Sequence, residues 1–365
     1  MCDNRRLGPY SILRTCPLYR LYFIVGPILF AIVLAISYVG VSVVRRRGIE
    51  RKRYAIPNER SLHSEPVPYG GGLLIAVICI LAYLPISYFV LNSFSWGYFA
   101  GALLITLISY LDDAYRLGTP IRLAVHCVAA ILVIMDLDTW HGVTMLGGLH
   151  MGPWAYVLTF IWIVWMVNAY NFMDGIDGLA GLQSVIAGAG WLALGFMLNM
   201  PALYLFGVVI AASSLGFLIL NWPPARIFMG DVGSAFLGFT FAVLPLLARH
   251  MAAGAWDLLP IAAVLFVWFF LFDSAFTRLR RLLRGDNVVA AHREHIFQRL
   301  VSSGMTHRRV TVLYGILAGL LSVSVLTSIA FRAEIGLAMF PVVILLTFVL
   351  LCVCAFRGVL FGEVK

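Results

Sequence analysis

Eleven apolar stretches set the limits on what this chain can fold into. They run over 22–44, 70–92, 94–111, 121–140, 153–171, 178–198, 201–220, 235–249, 256–277, 310–331 and 335–356. A helix needs about 20 apolar residues to cross the hydrocarbon core of a bilayer, and most of these stretches are that long; 235–249 is short. Hydrophobic residues make up 62% of the chain and the mean hydropathy is +0.94, against an apolar share of about 45–50% in soluble domains. The expected fold is all-α: a polytopic membrane protein of about 11 transmembrane helices, forming one domain over 1–365. The first stretch follows a basic segment, yet it is too long for a signal peptide, and Arg45, Arg46 and Arg47 stand where a cleavage site would be. It is read as a retained span.

Charge sets the orientation. The net charge is +9, but the basic residues cluster beside spans, which points to anionic headgroups and not to nucleic acid. With the 45–69 loop placed in the cytoplasm, 20 of the 26 Lys and Arg residues fall inside. The positive-inside rule then predicts an external N-terminus and a cytoplasmic C-terminus. Trp96, Trp140, Trp154, Trp222 and Trp256 sit near span ends, as interfacial tryptophans do. The six cysteines show neither a disulfide framework nor a zinc pattern.

Threaded this way, the acids gather on one face. Asp112 and Asp113 close the third span. Asn168, Asn171, Asp174 and Asp177 recur every third residue where the fifth ends. Asn221 opens the loop NWPPARIFMGDVGS that leads to Asp231, and His292, Arg293 and His295 lie in AHREHIFQRL. Each has a plainer reading: a solvated loop for the acid pair and the histidines, turn chemistry for the Asp-Gly steps, a flexible link for MGDVGS. An acid pair at a helix C-terminus opposes the macrodipole, however, and calls for a cation. Small residues let backbone N–H groups approach an anion, and carboxylates hold a hard divalent ion together with substrate phosphate. Together these groups describe a metal-and-phosphate site at a membrane surface.

The order YLDD, NAYNFMDGIDGLAG, NWPPARIFMGDVGS, AHREHIFQRL, preceded by PNERSLHSEPVPYGGG, covers 57–309 and resembles the polyprenyl-phosphate N-acetylhexosamine-1-phosphate transferases. The resemblance implies transfer of N-acetylhexosamine 1-phosphate from a UDP-N-acetylhexosamine to undecaprenyl phosphate, with release of UMP. The cofactor would be Mg2+ or Mn2+ and the place the cytoplasmic face of the bacterial inner membrane. Such a reaction is the first membrane step of a cell-envelope glycan such as O-antigen, and a homodimer is compatible with it. It implies Asp231 and Asp113 as metal ligands, and Asp112, Asp113, His292 and His295 as catalytic residues. Asn168, Asn171, Asp174, Asp177, Asn221 and Arg293 would bind nucleotide or sugar. The run His-Arg-Glu-His replaces the consecutive histidines of the peptidoglycan branch, which argues against a muramyl-pentapeptide donor. Ser64 and Glu65 stand where a basic residue is often found near the PVP turn, with Arg60 or His63 to compensate. A helix over 292–300 is expected to bring His295 to the diphosphate, with Phe297 and Leu300 dipping into the membrane interface. The rival of another class is a polytopic transporter, whose site would lie nearer the midplane; the closely spaced four-Asp signature of a CDP-alcohol phosphotransferase is absent.

Overall fold

The computed structural model describes residues 17–52, 54–55, 65–140, 142–143, 149–251, 258–286, 293–331 and 335–358. Thirteen α-helices dominate them. α1 spans Pro17–Glu50, α2 Gly72–Pro85, α3 Trp96–Tyr115, α4 Thr119–Leu137, α5 Trp154–Met173, α6 Leu179–Met197 and α7 Pro201–Asn221. α8 spans Asp231–Met251, α9 Leu258–Phe266, α10 Trp268–Leu283, α11 Ile296–Ser302, α12 His307–Ala330 and α13 Ile335–Phe356. α2 continues as a π-helical segment over Ile86–Leu91.

Among the described residues, nine helices are long and apolar enough to cross a membrane, and the bent pair α9–α10 makes a tenth. α3, at 20 residues, runs between its neighbours in the same bundle, its apolarity diluted by the acid pair near its end. The helical passes therefore correspond to the eleven apolar stretches, with two corrections. The stretch at 235–249 is the core of a 21-residue helix that starts four residues earlier, at Asp231. The stretch at 256–277 is not one helix. It breaks at Val267, where φ is −122° and ψ 17°, and its halves meet at 71°.

Burial runs opposite to that of a soluble bundle. Peripheral helices turn apolar faces outward: Ile24, Ile28, Ile32 and Ile36 of α1 are each more than half exposed, one helical turn apart as a lipid-facing stripe requires. Trp96 and Trp154, at helix starts, are also exposed. α7 and α8 form the centre, with Phe206, Phe217, Phe236, Phe239 and Phe241 fully enclosed. Without a hydrophobic drive between helices in lipid, close backbone approach through small residues does much of the packing. At one such crossing Gly72 of α2 faces Gly233 of α8, and a Cβ on Gly72 would stand 2.5 Å from the Gly233 Cα.

Polar caps fix the helix starts. The Ser95 hydroxyl accepts the Tyr98 N–H at the head of α3, and the Thr306 hydroxyl accepts the Arg309 N–H at the head of α12. Extended structure is slight. β1 (Tyr54–Ala55) pairs antiparallel with β2 (Val67–Pro68), and β3 (Gly142–Val143) with β4 (Leu149–His150). Just after β2 the chain lies alongside the segment before α8. Phe228 N–H donates to Pro68 O, Gly71 N–H to Phe228 O and Gly72 N–H to Met229 O, at 2.8–3.0 Å. This seam joins the PVPYGGG turn to the start of α8, at one end of the bundle.

Candidate active site

At that end, three helices bring together acids that lie far apart in the chain. Asp112 and Asp113 are in the last turn of α3, and Asp231 is the first residue of α8. The Asp231 N–H points to Asp113 Oδ1 at 3.3 Å, so one carboxylate of the pair caps the helix that carries the other acid. Acids are favoured at such an N-terminus. Gly230, which precedes it, has φ +79°, and a side chain there would meet Asp113 Oδ2 at 2.9 Å. Glycine is needed at this position on both counts. The Tyr69 hydroxyl donates to Asp113 O at 3.2 Å and so fastens the seam to the end of α3.

Asp112 is buried and is joined to Asp231 by Arg122 at the start of α4. Arg122 Nη1 lies 2.6 Å from Asp112 Oδ2 and 3.0 Å from Asp231 Oδ2. One turn further along α4, the buried His126 has Nδ1 3.3 Å from the Asn168 amide, while its Nε2 has no partner among the described residues.

The Asn/Asp ladder divides as the chain leaves α5. Asn168 donates back to Val164 O, and Asn171 donates to the Ser234 hydroxyl of α8 at 2.9 Å. Asp174 caps the end of α5. Burial first, then the carboxylates of Asp231, Asp113 and Asp177, push its carboxyl well above the usual range. Asp177 turns to the next loop: its Oδ2 accepts the Ala225 N–H at 3.0 Å and its Oδ1 lies 3.3 Å from His307 Nδ1. Asn221 is buried, accepting the Gly178 N–H and donating to Ile227 O, each at 2.9 Å. Asp177 and Asn221 thus hold the 222–230 loop against the DGIDG turn, so that the loop delivers Asp231.

His295 comes from the far side. It is the N-cap of α11, which starts at Ile296, and its ring stacks on Phe172 with centroids 6.2 Å apart. The expected helix over 292–300 is corrected: it runs Ile296–Ser302, and Phe297 and Leu300 are buried in the protein and not in the lipid interface. His292, Arg60, His63 and Ser64 lie outside the described residues. Glu294 is ion-paired with Arg280 at 3.1 Å, with Arg281 at 2.5 Å and with Arg284. Burial works to raise its carboxyl, but the guanidinium groups of Arg284, Arg281 and Arg280 outweigh it and hold the carboxyl below its ordinary value. Arg278 covers the other ring of the site, its Cζ 5.1 Å from the Phe172 centroid.

Arg122, His126, Ser234 and Asp273 escaped the reading of the sequence. For Arg122, a charge at the head of the 121–140 apolar stretch is the signal the sequence offers. Asp273 is an acid inside the 256–277 stretch, which alone should have singled it out.

The donor set suits a hard divalent cation. Asp112, Asp113, Asp174 and Asp231 concentrate carboxylate oxygens at this end of the bundle, and Arg122 already supplies positive charge between two of them. Among the described residues no three His, Cys, Asp or Glu side chains stand at separations that would enclose a metal. Magnesium takes only one or two carboxylates where substrate phosphate and water complete its shell, so this spacing still fits.

The model of glycosyl transferase family 4 matches residues 95–249, which run from the cap of α3 through α8. The chain is 29% identical over 310 residues to a probable undecaprenyl-phosphate N-acetylglucosaminyl 1-phosphate transferase of Bacillus subtilis, covering 84% of this chain and 85% of the relative. It is 30% identical over 278 residues to the undecaprenyl-phosphate alpha-N-acetylglucosaminyl 1-phosphate transferase of Salmonella typhi, covering 73% and 74%. A decaprenyl-phosphate N-acetylglucosaminephosphotransferase of Mycobacterium leprae is 29% identical over 330 residues, covering 81% and 82%. With four sequence motifs meeting at one end of a membrane bundle and relatives matched over most of their length, the chain belongs to glycosyl transferase family 4, among the polyprenyl-phosphate N-acetylhexosamine-1-phosphate transferases.

Proposed function

We propose that this protein transfers N-acetylhexosamine 1-phosphate from a UDP-N-acetylhexosamine to undecaprenyl phosphate, releasing UMP, at the cytoplasmic face of the bacterial inner membrane. One observation carries the reading: Asp112, Asp113 and Asp231, from helices distant in sequence, converge with Arg122 at the end of the bundle. Basic residues at the same end support the cytoplasmic assignment. Arg45 donates to Arg226 O in the 222–230 loop, and Arg280, Arg281 and Arg284 lie beside His295.

In this reaction a phosphate oxygen of the lipid attacks the sugar-bearing phosphorus of the donor. The new P–O bond forms as the bond to the uridine monophosphate oxygen breaks, and the electron pair leaves with UMP. The lipid phosphate, a monoester with a second pKa of about 6, is largely a dianion near neutral pH, so no base is required to make it a nucleophile. Magnesium or manganese, held by Asp231 and Asp113, would neutralise diphosphate charge. Phosphoryl transfer asks mainly for such positioning and charge stabilisation. Arg122 is placed to meet phosphate oxygens through its guanidinium fork. Asn168, Asn171 and Asp174 lie on the nucleotide side, Asp177 and Asn221 hold the loop that carries Asp231, and His295 with Arg293 faces the sugar diphosphate. The product fits the opening membrane step of an envelope glycan such as O-antigen.

The test is purified protein with undecaprenyl phosphate, magnesium and a panel of UDP-N-acetylhexosamines, reading UMP release and the mass of the lipid product. UMP release that needs both lipid and donor, with a lipid heavier by one N-acetylhexosamine phosphate, is the expected result. No lipid-linked product with any donor on the panel overturns the reading.

A further inference from the structure

Asp273 lies in α10 with no exposed surface. Its carboxylate meets five donors. The Oδ1 atom accepts the Ile296 N–H at 2.8 Å and stands 3.1 Å from His295 Nδ1 and 3.2 Å from the Thr277 hydroxyl. The Oδ2 atom accepts the Tyr314 hydroxyl at 2.7 Å and the Phe297 N–H at 3.1 Å. A buried carboxylate is costly unless its lone pairs are satisfied, and here three elements, α10, α11 and α12, supply partners.

This set of partners fixes a proton. An ionised carboxylate only accepts, so the His295 nitrogen facing it is the one that carries hydrogen. In the neutral ring, hydrogen on Nδ1 leaves Nε2 as the basic nitrogen, and the bond made by one ring nitrogen sets the role of the other. The ring is also held in plane. Its centroid lies 6.2 Å from that of Phe172 and 5.8 Å from that of Phe297, with interplanar angles of 25° and 20°, and its own backbone N–H donates to Gln298 Oε1. Turning the ring over would replace the Asp273 bond with a C–H.

We infer that Asp273 is the positioning residue of His295: it selects the Nδ1–H tautomer and clamps the start of α11, so that Nε2 is the nitrogen turned to the sugar donor, where it takes up a proton and then donates to a phosphate oxygen. The inference rests on the function proposed above. A carboxylate that served only to anchor α11 would leave the tautomer unspecified.

The experiment uses full-length protein in nanodiscs, labelled with ring-15N histidine and observed where the His295 ring is neutral, with His295→Gln identifying its signals. Wild type is expected to show protonated Nδ1 and bare Nε2. Asp273→Asn is expected to give mixed tautomers and to lower kcat about ten- to a hundredfold, as loss of an orienting partner does, with KM for the UDP-sugar changed less than about threefold. Tyr314→Phe removes a donor from the same carboxylate but leaves the His295 bond, and should keep both the tautomer and kcat within about threefold of wild type. A wild-type ring protonated at Nε2 overturns the inference, as does an Asp273→Asn enzyme with undiminished kcat. Should Asp273→Asn fail to insert, the wild-type spectrum alone decides. The spectrum needs no turnover, so absence of UMP release from wild type counts against the proposed reaction and leaves the Asp273–His295 pairing standing.

Discussion

The ring of Phe297 lies against Gly175 so closely that a Cβ on the glycine would stand 2.8 Å from the ring Cζ. The contact joins the segment that carries His295 to the turn that carries Asp174. Gly175→Ala should force the two apart. Overpacking of this kind costs about 1–3 kcal/mol, and turnover should fall while membrane insertion persists. Phe297→Leu in the same chain relieves the clash and should recover part of the loss. Equal turnover in Gly175→Ala and wild type would show that the contact plays no part in assembling the site.

The acid cluster makes a second prediction. Asp231→Asn, Asp112→Asn and Asp113→Asn should each abolish UMP release while the proteins insert and purify normally, because each removes a charge from the proposed cation site. A chelator should silence the wild type, and added magnesium or manganese should restore it. Near-normal turnover in Asp231→Asn would remove that residue from the metal site.

Arg122 stands as a built-in cation between Asp112 and Asp231. Its side chain is 30% exposed, so water weakens the pairing and its net contribution is about 1 kcal/mol. Arg122→Gln should lower the melting temperature of the metal-free protein and enlarge the rise that magnesium produces, since the ion then offsets more uncompensated charge. Thermal unfolding in detergent with and without magnesium reads both effects. An identical magnesium response in the two proteins would separate Arg122 from the cation site.

Orientation is checked by labelling. In a cysteine-free background, Ser302→Cys, at the end of α11, should be shielded from an impermeant thiol reagent in intact cells. Pro153→Cys, before α5, should react. Both positions are exposed on the protein. Labelling of position 302 from outside would reverse the bundle and take the site away from the cytoplasm.

The spans were legible because length and apolarity alone define them, and the acid motifs because carboxylates stand out in so apolar a chain. Other features needed three dimensions. The break at Val267 has no glycine or proline to announce it, and hydropathy runs through it without a dip. Arg122 reads as one more anchoring charge until α3 and α8 place Asp112 and Asp231 beside it. Asp177 and Asn221 carry the same residue types as the proposed ligands, and only their bonds to Ala225, Gly178 and Ile227 show that they hold a loop. The shift of α11 to Ile296 follows from Asp273, whose carboxylate takes the first amides of that helix and fixes where it starts.

The seam between Pro68–Gly72 and Phe228–Met229 also bears on how the molecule is made. One edge of it leaves the ribosome before α2 and the other only after α7 has been threaded. Asp231 therefore acquires its surroundings late in synthesis, when α8 slides in against a helix already resident in the bilayer. A chain arrested before that point holds most of its spans and none of its chemistry.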